Sequence, residues 1–362
     1  MITWIALVLS IPFAIPNMQV ARDFAAFWTA AVLALNDQAA QAYGSAEVTA
    51  LVHLFGPANF PPFFYPPTAL LLWLPFAGWG FAVAAGLWIM ISLGLYALAL
   101  RAMQPELSLW PAFAYPAVLF CALYGQNALF TAALLAGAAA LLESSPIYAG
   151  MLLGVLVYKP QLAVIVPLVL AASGRWRTFF TTAATAAGLI VFSVLLFGTD
   201  AWRGFWDALP IAQRWNASGV PGFQTFVSPY AALRLIGADA AIGWAVQAML
   251  TVIAVICVVV VIPRRPGPQA EIAMLAAATL FCVPFLGQYE LVIGMVPATW
   301  LAGEAIRTGW LPYERGALAL LFVSPLAILI AGSKGLPLGP FAMIALLALV
   351  TRRALHHTRR NE

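Results

Sequence analysis

Residues 147 to 173 read IYAGMLLGVLVYKPQLAVIVPLVLAAS, an apolar run that is interrupted in its middle by Lys159-Pro160. The run is long enough for one membrane-spanning helix, which needs about 20 apolar residues. Proline removes a backbone hydrogen bond and disfavours helix at the preceding residue, so the run also suits two short helices that break at this point. Which alternative forms decides the topology of the whole chain.

The rest of the chain is similarly apolar. Of its 362 residues, 64% are hydrophobic and only 8% are charged, whereas soluble domains carry about 25% charged residues. This composition excludes a soluble protein and predicts one all-α, multi-pass membrane domain over residues 1 to 362, because unpaired backbone cannot face lipid. The net charge of +4 does not indicate nucleic acid as a partner, since the basic residues stand in short clusters between apolar runs.

Apolar runs between proline, glycine and charged residues predict the membrane spans. Residues 1 to 16 lack a charged start and a cleavage site, so they indicate an uncleaved first helix, short for a span, rather than a signal peptide. Further helices are expected at residues 80 to 101, 108 to 124, 127 to 142, 177 to 197, 240 to 262, 270 to 286, 290 to 306, 316 to 331 and 337 to 351. Residues 63 to 79 could cross or lie in the interface; both topologies predict twelve crossings.

The charges decide between the two topologies. If residues 63 to 79 crossed, Lys159 would be left at mid-bilayer at a cost of several kcal/mol. If they stay outside and residues 147 to 173 form a broken pair, eleven of the 17 basic residues become cytoplasmic, as the positive-inside tendency requires. We therefore adopt the second topology, in which residues 17 to 79 and 198 to 239 are long outer segments with interfacial helices.

Asp23 is the first candidate for chemistry. It follows the first predicted helix and is surrounded in sequence by Phe24, Phe27 and Trp28. A carboxylate partly removed from water has a raised pKa and suits a general base. The structural alternative is that Asp23 caps a helix over residues 24 to 35.

Isolated cations on the outer side are candidates for binding an anion such as a lipid phosphate. Lys159 would offer its ammonium to that anion, unless it snorkels or pairs with a carbonyl. Arg22, Arg203 and Arg214 could add charge-assisted contacts, or be ordinary interfacial arginines.

Polar residues at predicted helix junctions complete the candidate set. Gln126 and Asn127 could hydrogen-bond sugar hydroxyls or cap the helix that begins at residue 128. Tyr289 and Glu290 place an aromatic ring and an acid at another outer junction, where a buried structural acid is the alternative. The outer segments contain no metal-ligand run and no Asp-x-Asp pair, so we expect no metal and favour a donor carried on a lipid monophosphate over a nucleotide sugar.

Several short motifs occur in order along the chain. They are Asp23-Phe24-x-x-Phe27-Trp28, Tyr43-Gly44, Tyr65-Pro66-Pro67, Gly125-Gln126-Asn127, Ala149-Gly150 to Lys159, Ser228-x-Tyr230-x-x-Leu233-Arg234-x-x-Gly237 and Tyr289-Glu290. In this order and spacing the chain resembles glycosyltransferase family 87, of the C-type (GT-C) superfamily. The resemblance implies an inverting transferase without a cofactor, which moves a sugar from a polyprenyl-phosphate donor to a lipid or glycan acceptor. The expected sugar is a mannose-like hexose or a pentose.

The resemblance also implies roles for residues. Asp23 is expected to be the catalytic base. The donor phosphate is expected at Lys159, Arg22, Arg203 and Arg214, and the substrates at Tyr65, Gln126, Asn127, Ser228, Tyr289 and Glu290. We expect the protein in the plasma (inner) membrane, in contact with membrane lipids, with its active site on the periplasmic or extracellular side. A transporter or flippase of lipid-linked glycans is the alternative function, although the sequence lacks the internal repeat typical of such proteins.

Overall fold

The structure is a computed structural model that describes residues 21–45, 49, 62–219 and 222–361. Within these ranges the chain is helical, and its one β-type pairing is an isolated bridge between Phe226 and Gly287. The first predicted helix, at residues 1 to 16, lies outside the described residues, as does most of residues 46 to 61. The predicted all-α class is confirmed for the described part of the chain.

The described helices follow one another closely. The α-helices are α1 (Arg22–Leu35), α2 (Pro67–Trp73), α3 (Phe81–Met103), α4 (Trp110–Ala114), α5 (Pro116–Tyr124), α6 (Ala128–Leu141), α7 (Pro146–Val155), α8 (Val166–Ala172), α9 (Trp176–Ala217), α10 (Pro229–Leu235), α11 (Ala240–Val261), α12 (Pro268–Thr279), α13 (Met295–Thr308), α14 (Glu314–Ser333) and α15 (Gly339–Asn361). Short 3₁₀ helices stand between them at Ala39–Tyr43, Leu74–Phe76, Leu156–Tyr158, Pro160–Leu162, Phe223–Thr225, Ile262–Arg264, Leu280–Cys282 and Gln288–Gly294.

Four of the described helices are long and apolar enough to cross a membrane. They are Phe81–Met103, Trp176–Ala217, Ala240–Arg264 and Glu314–Ser333. Other apolar helices have only 10–17 residues, and several begin at a proline, because proline is tolerated in the first turn of a helix and not in its interior. The multi-pass character is therefore supported, whereas the predicted number of twelve crossings is not confirmed.

The stretch at residues 147 to 173 forms the broken pair. α7 passes into the 3₁₀ turn Leu156–Tyr158, and Lys159 then leaves helical geometry with φ −141° and ψ 70°. A second 3₁₀ turn, Pro160–Leu162, leads towards α8. The predicted break at Lys159-Pro160 is confirmed, and it presents the Lys159 side chain between two short helical segments.

Two glycines let α7 pack closely against α9. A Cβ atom on Gly150 would lie 2.7 Å from the Thr178 carbonyl oxygen, and one on Gly154 would lie 2.6 Å from the Cβ of Thr185. Small residues spaced by four positions allow helix backbones to approach in this way inside membranes. The contact fixes the segment that leads into Lys159.

α9 contains both a predicted span and the predicted interfacial helix. Gly198 interrupts the helical geometry with φ 76° and ψ 168°, so the part before it and the part after it differ in direction. After this bend, Gly204 lies against the 3₁₀ helix Ala39–Tyr43, where a Cβ atom would be 3.2 Å from the Cβ of Tyr43. On the other side Trp206 is exposed, as an interfacial helix requires.

α3 and α6 run between two ends of the molecule. At one end, which we call the Asp23 end, the indole N–H of Trp88 in α3 donates to the Gly125 carbonyl oxygen at 3.1 Å, and α6 begins just after Asn127. The 23 residues of α3 measure about 34 Å.

The opposite end, which we call the arginine end, collects charged residues. Beyond α3, Gln104 accepts a hydrogen bond from Arg307, and beyond α6, Glu143 pairs with Arg175. The two helices therefore separate the cluster around Asp23 from most of the described ion pairs.

Candidate active site

Asp23 lies in the first turn of α1, which begins at Arg22. The residue at the N-cap position is Ala21, so the predicted capping role of Asp23 is wrong for this helix. Instead, the carboxylate oxygen Oδ2 of Asp23 accepts a hydrogen bond from Nε2 of Gln126 at 2.8 Å. The carboxylate is thus directed across to the α5–α6 junction rather than back to its own backbone.

The backbone fixes this approach of α1 to the α5–α6 junction. The N–H of Ala21 donates to the carbonyl oxygen of Leu123 at 2.6 Å. Gly125 follows α5 with φ +68°, and a Cβ atom on it would lie 2.6 Å from the Cβ of Phe24. Only glycine fits both the left-handed backbone and the available space.

The surroundings of Asp23 suit a proton acceptor. Its side chain is half-buried, and burial raises the pKa of the carboxyl above its ordinary value, against the opposing effects of the Gln126 hydrogen bond and of the charges on Arg22 and Lys159. A carboxylate with a raised pKa is a stronger base. Of the two carboxylate oxygens of Asp23, only Oδ2 has a hydrogen-bond partner among the described residues.

Gln126 and Asn127 reach across the junction rather than capping α6. Asn127 occupies the N-cap position, but its side chain makes no capping hydrogen bond. Its amide Nδ2 donates to the hydroxyl of Tyr65 at 2.9 Å, and its Oδ1 accepts from the ammonium of Lys159 at 3.2 Å. The predicted capping alternative is therefore wrong for both side chains.

Lys159 forms a buried ion pair with Glu290. The side chains of Lys159 and Glu290 are 5% and 2% exposed, and Nζ contacts Oε1. The other carboxylate oxygen, Oε2, accepts from the backbone N–H of Gly287 at 2.9 Å. The ring centroids of Tyr65 and Tyr289 lie 5.6 and 6.0 Å from Nζ, within the range of cation–π attraction.

The sequence did not predict this pairing or the contacts that three tyrosines make in the cluster. Lys159 has no acid near it in sequence, yet lone charges in apolar segments commonly pair with one another, and that rule was a usable signal. Tyr158 donates to the Asn127 carbonyl oxygen at 3.3 Å, Tyr43 donates to the Tyr65 carbonyl oxygen at 2.9 Å, and the Tyr124 ring lies 6.5 Å from that of Tyr289. These contacts hold the predicted residues together.

Three of the predicted residues have no described contact with this cluster. Arg203 pairs with Asp200, and both side chains are about three-quarters exposed. Arg214 is exposed. Ser228 is fully buried, caps α10 by accepting from the Ala231 N–H, and donates to the carbonyl oxygen of Pro284. The roles predicted for these three residues in substrate binding stay predictions.

The fold and the site define a class of protein. It is an apolar, all-helical membrane protein that brings an acid, two amides and a buried ion pair together at one end. The family comparison adds the particular assignment: the model of glycosyltransferase family 87 matches residues 63–286, and the chain belongs to this family. No curated protein and no solved structure matches it. The matched region includes Tyr65, Gln126, Asn127 and Lys159, whereas Asp23 precedes it and Glu290 follows it.

Proposed function

We propose that this glycosyltransferase moves a mannose-like hexose or a pentose from a polyprenyl-phosphate donor to a lipid or glycan acceptor, with inversion at the anomeric carbon. The reaction would take place on the non-cytoplasmic side of the plasma membrane. This orientation is supported by the arginine end, since arginines concentrate on the cytoplasmic side of membrane proteins. Family membership supplies glycosyl transfer, the site supplies a candidate base, and the donor, sugar and acceptor are those that the resemblance of the sequence motifs implies.

The observation that carries the proposal is the difference between the two acids of the cluster. Glu290 has both oxygens engaged, one by Lys159 and one by the Gly287 N–H. Asp23 has one oxygen held by the Gln126 amide and no described partner on the other. Asp23 is therefore oriented by a neutral donor and retains an oxygen that can accept a proton.

The proposed step needs one base and no covalent intermediate. The acceptor oxygen bonds to the anomeric carbon, and its proton passes to Asp23. The bond between that carbon and the phosphate oxygen breaks on the opposite face, and its electron pair remains on the polyprenyl phosphate. Attack and departure on opposite faces invert the centre, by the logic that distinguishes inverting from retaining glycosidases.

The neighbouring polar residues are proposed to position the substrates. One N–H of the Asn127 amide donates to Tyr65 and the amide oxygen accepts from Lys159, so Asn127 orients those two side chains. The Tyr65 hydroxyl accepts from Asn127 and keeps its own proton to donate to a sugar hydroxyl. The Tyr289 ring supplies a flat apolar wall beside it.

The test is the Asp23→Asn variant, which keeps size and polarity and removes the base. We expect kcat/KM for transfer from polyprenyl-phosphate mannose to fall by about 10²–10⁴-fold, the range typical of general acid–base catalysis. The matched control is Asp37→Asn, at an exposed acid with φ +60° just beyond α1, a conformation that asparagine adopts readily. It should retain full activity.

Two results would contradict the proposal. One is wild-type activity in a folded Asp23→Asn protein. The other is a product whose anomeric configuration, read by nuclear magnetic resonance, equals that of the donor.

A further inference from the structure

Two cations reach the Asp23 end, and their surroundings differ. Lys159 is 4% exposed, and its ammonium is already bound by the Glu290 carboxylate and the Asn127 carbonyl oxygen. An ammonium has three N–H donors, so at most one remains.

Arg22 is the second cation and has no such engagement. Its guanidinium Nε is buried without a hydrogen-bond partner, and among the described ion pairs none includes Arg22. Arg22 is the first residue of α1 and directly precedes Asp23, so its side chain starts from the position next to the base.

Direct pairing separates the two as receptors for a phosphate. The Lys159 ammonium contacts the Glu290 carboxylate, so a phosphodiester that approached Lys159 would meet that carboxylate as well as the ammonium. Displacing Lys159 from Glu290 would leave a buried carboxylate unpaired, which is strongly unfavourable. Arg22 presents a charge without a carboxylate bonded to it, on a planar group whose N–H donors match two phosphate oxygens.

We infer that Arg22 is the residue that binds the donor phosphate, and that Lys159 and Glu290 form a neutral pair that positions Asn127 and Tyr65. The inference rests on the proposed function, because it assumes a phosphate-linked donor. Of the four cations at which the sequence predicts the phosphate, it selects Arg22 and gives Lys159 a positioning role.

The change of charge during the reaction supports the assignment of Arg22 to the phosphate. When the bond from the anomeric carbon breaks, the phosphate gains a second negative charge while Asp23 is neutralised by the acceptor proton. Arg22, next to Asp23 in the chain, then stabilises the charge where it develops. Lys159 keeps its pairing with Glu290 throughout, so the Tyr65 hydroxyl stays in place.

The first experiment measures binding of sugar-free polyprenyl phosphate to the purified full chain in lipid nanodiscs. Arg22→Gln should raise the Kd by about ten- to a hundredfold, as expected for the loss of charged hydrogen bonds, and should weaken its dependence on salt. Arg177→Gln, at an exposed arginine in the first turn of α9 near the arginine end, is the matched control and should leave the Kd unchanged.

The second experiment exploits the ion pair. Lys159→Met alone should lower the unfolding midpoint, because it leaves the Glu290 carboxylate unpaired, and the added Glu290→Gln change should restore most of that loss. Glutamine still accepts from the Gly287 N–H. The double variant should bind polyprenyl phosphate within about threefold of the wild type, with a reduced kcat for transfer because Tyr65 and Asn127 lose their orientation.

The outcomes separate this inference from the proposed function. If the well-folded double variant loses binding while Arg22→Gln keeps it, Lys159 is the phosphate residue and the inference is overturned. If the wild type neither binds polyprenyl phosphate nor transfers a sugar from it, the donor class itself is wrong. If binding falls with Arg22→Gln alone, the inference stands whatever the acceptor is.

Discussion

The two ends of this molecule differ in how their charged side chains are paired. At the arginine end, three arginines form ion pairs with carboxylates: Arg175 with Glu143 and Glu271, Arg307 with Glu106 and Glu304, and Arg353 with Glu314. Among the residues that the structure describes at the Asp23 end, only Lys159 and Glu290 form an ion pair, while Asp23 is held by an amide and no described ion pair includes Arg22.

The difference separates charged residues that stabilise the fold from charged residues that are expected to act on a substrate. Pairing satisfies a buried charge and contributes to a defined fold, whereas a partly desolvated charge without an ionic partner costs stability unless it has a use. In a chain with so few charged residues, Arg22 and Asp23 are therefore the residues expected to meet a substrate.

The largest effect is expected on the arginine end. Arg353 and Glu314 are both 1% exposed, and the guanidinium also donates to Thr308 and Gly309. Arg353→Met should destabilise the protein by about 3–5 kcal/mol, because it strands a buried carboxylate. The measurement is the unfolding midpoint in nanodiscs. The double variant Arg353→Met/Glu314→Gln should recover most of the lost stability. The folded fraction should keep its Kd for polyprenyl phosphate, and a lost affinity there would break the comparison.

Two glycines with the same backbone conformation, one at each end, allow a closer comparison of the two ends. Gly125 and Gly174 have φ +68° and +70°, but a Cβ atom on Gly125 would lie 2.6 Å from Phe24 whereas one on Gly174 has nothing within 4 Å. Gly125→Ala should lower kcat/KM by about 10²-fold, the scale of a 1 Å displacement at a catalytic site. Gly174→Ala should cost only about 1–2 kcal/mol of backbone strain and leave kcat/KM unchanged. Equal kcat/KM values in the two variants would remove the argument that Gly125 sets the position of α1.

The smallest effect concerns the hydrogen bond to the base. Asp23 must be ionised to take a proton, so transfer falls as pH drops through its pKa. Burial raises the pKa of Asp23, whereas the hydrogen bond from Gln126 and the positive charges of Arg22 and Lys159 all lower it.

Gln126→Leu removes a hydrogen bond that lowers the pKa of Asp23, so the acid limb of kcat/KM should move to higher pH. The counterpart at the arginine end is Gln104→Leu, whose side chain contacts Arg307 and should leave the limb in place. A limb that stays fixed in Gln126→Leu would mean that another group titrates.

The local architecture could be predicted from the sequence where the backbone itself dictates it. Proline and an isolated lysine marked the break at Lys159-Pro160, and the motif Gly125-Gln126-Asn127 marked a helix junction that the structure contains. The number of crossings was less accessible, because an apolar run does not reveal how much of it is regular helix. Pro116, for example, starts a new helix inside the predicted run at residues 108 to 124.

Side-chain partners could be predicted least. Asp23, Gln126 and Asn127 all stand at positions where a capping side chain is common, and local sequence cannot tell a capping hydrogen bond from one that crosses to another helix. The partner of Lys159 follows it by more than a hundred residues, so only the packing of the intervening helices brings Glu290 to it.

The hydrogen bond from the Ala21 N–H to the Leu123 carbonyl oxygen has a consequence for engineering. The main chain itself thus helps to set the spacing between the proton acceptor and the amides. Libraries that vary the surrounding residues to accept new sugars should therefore keep Gly125 and Phe24, whose close contact allows this hydrogen bond.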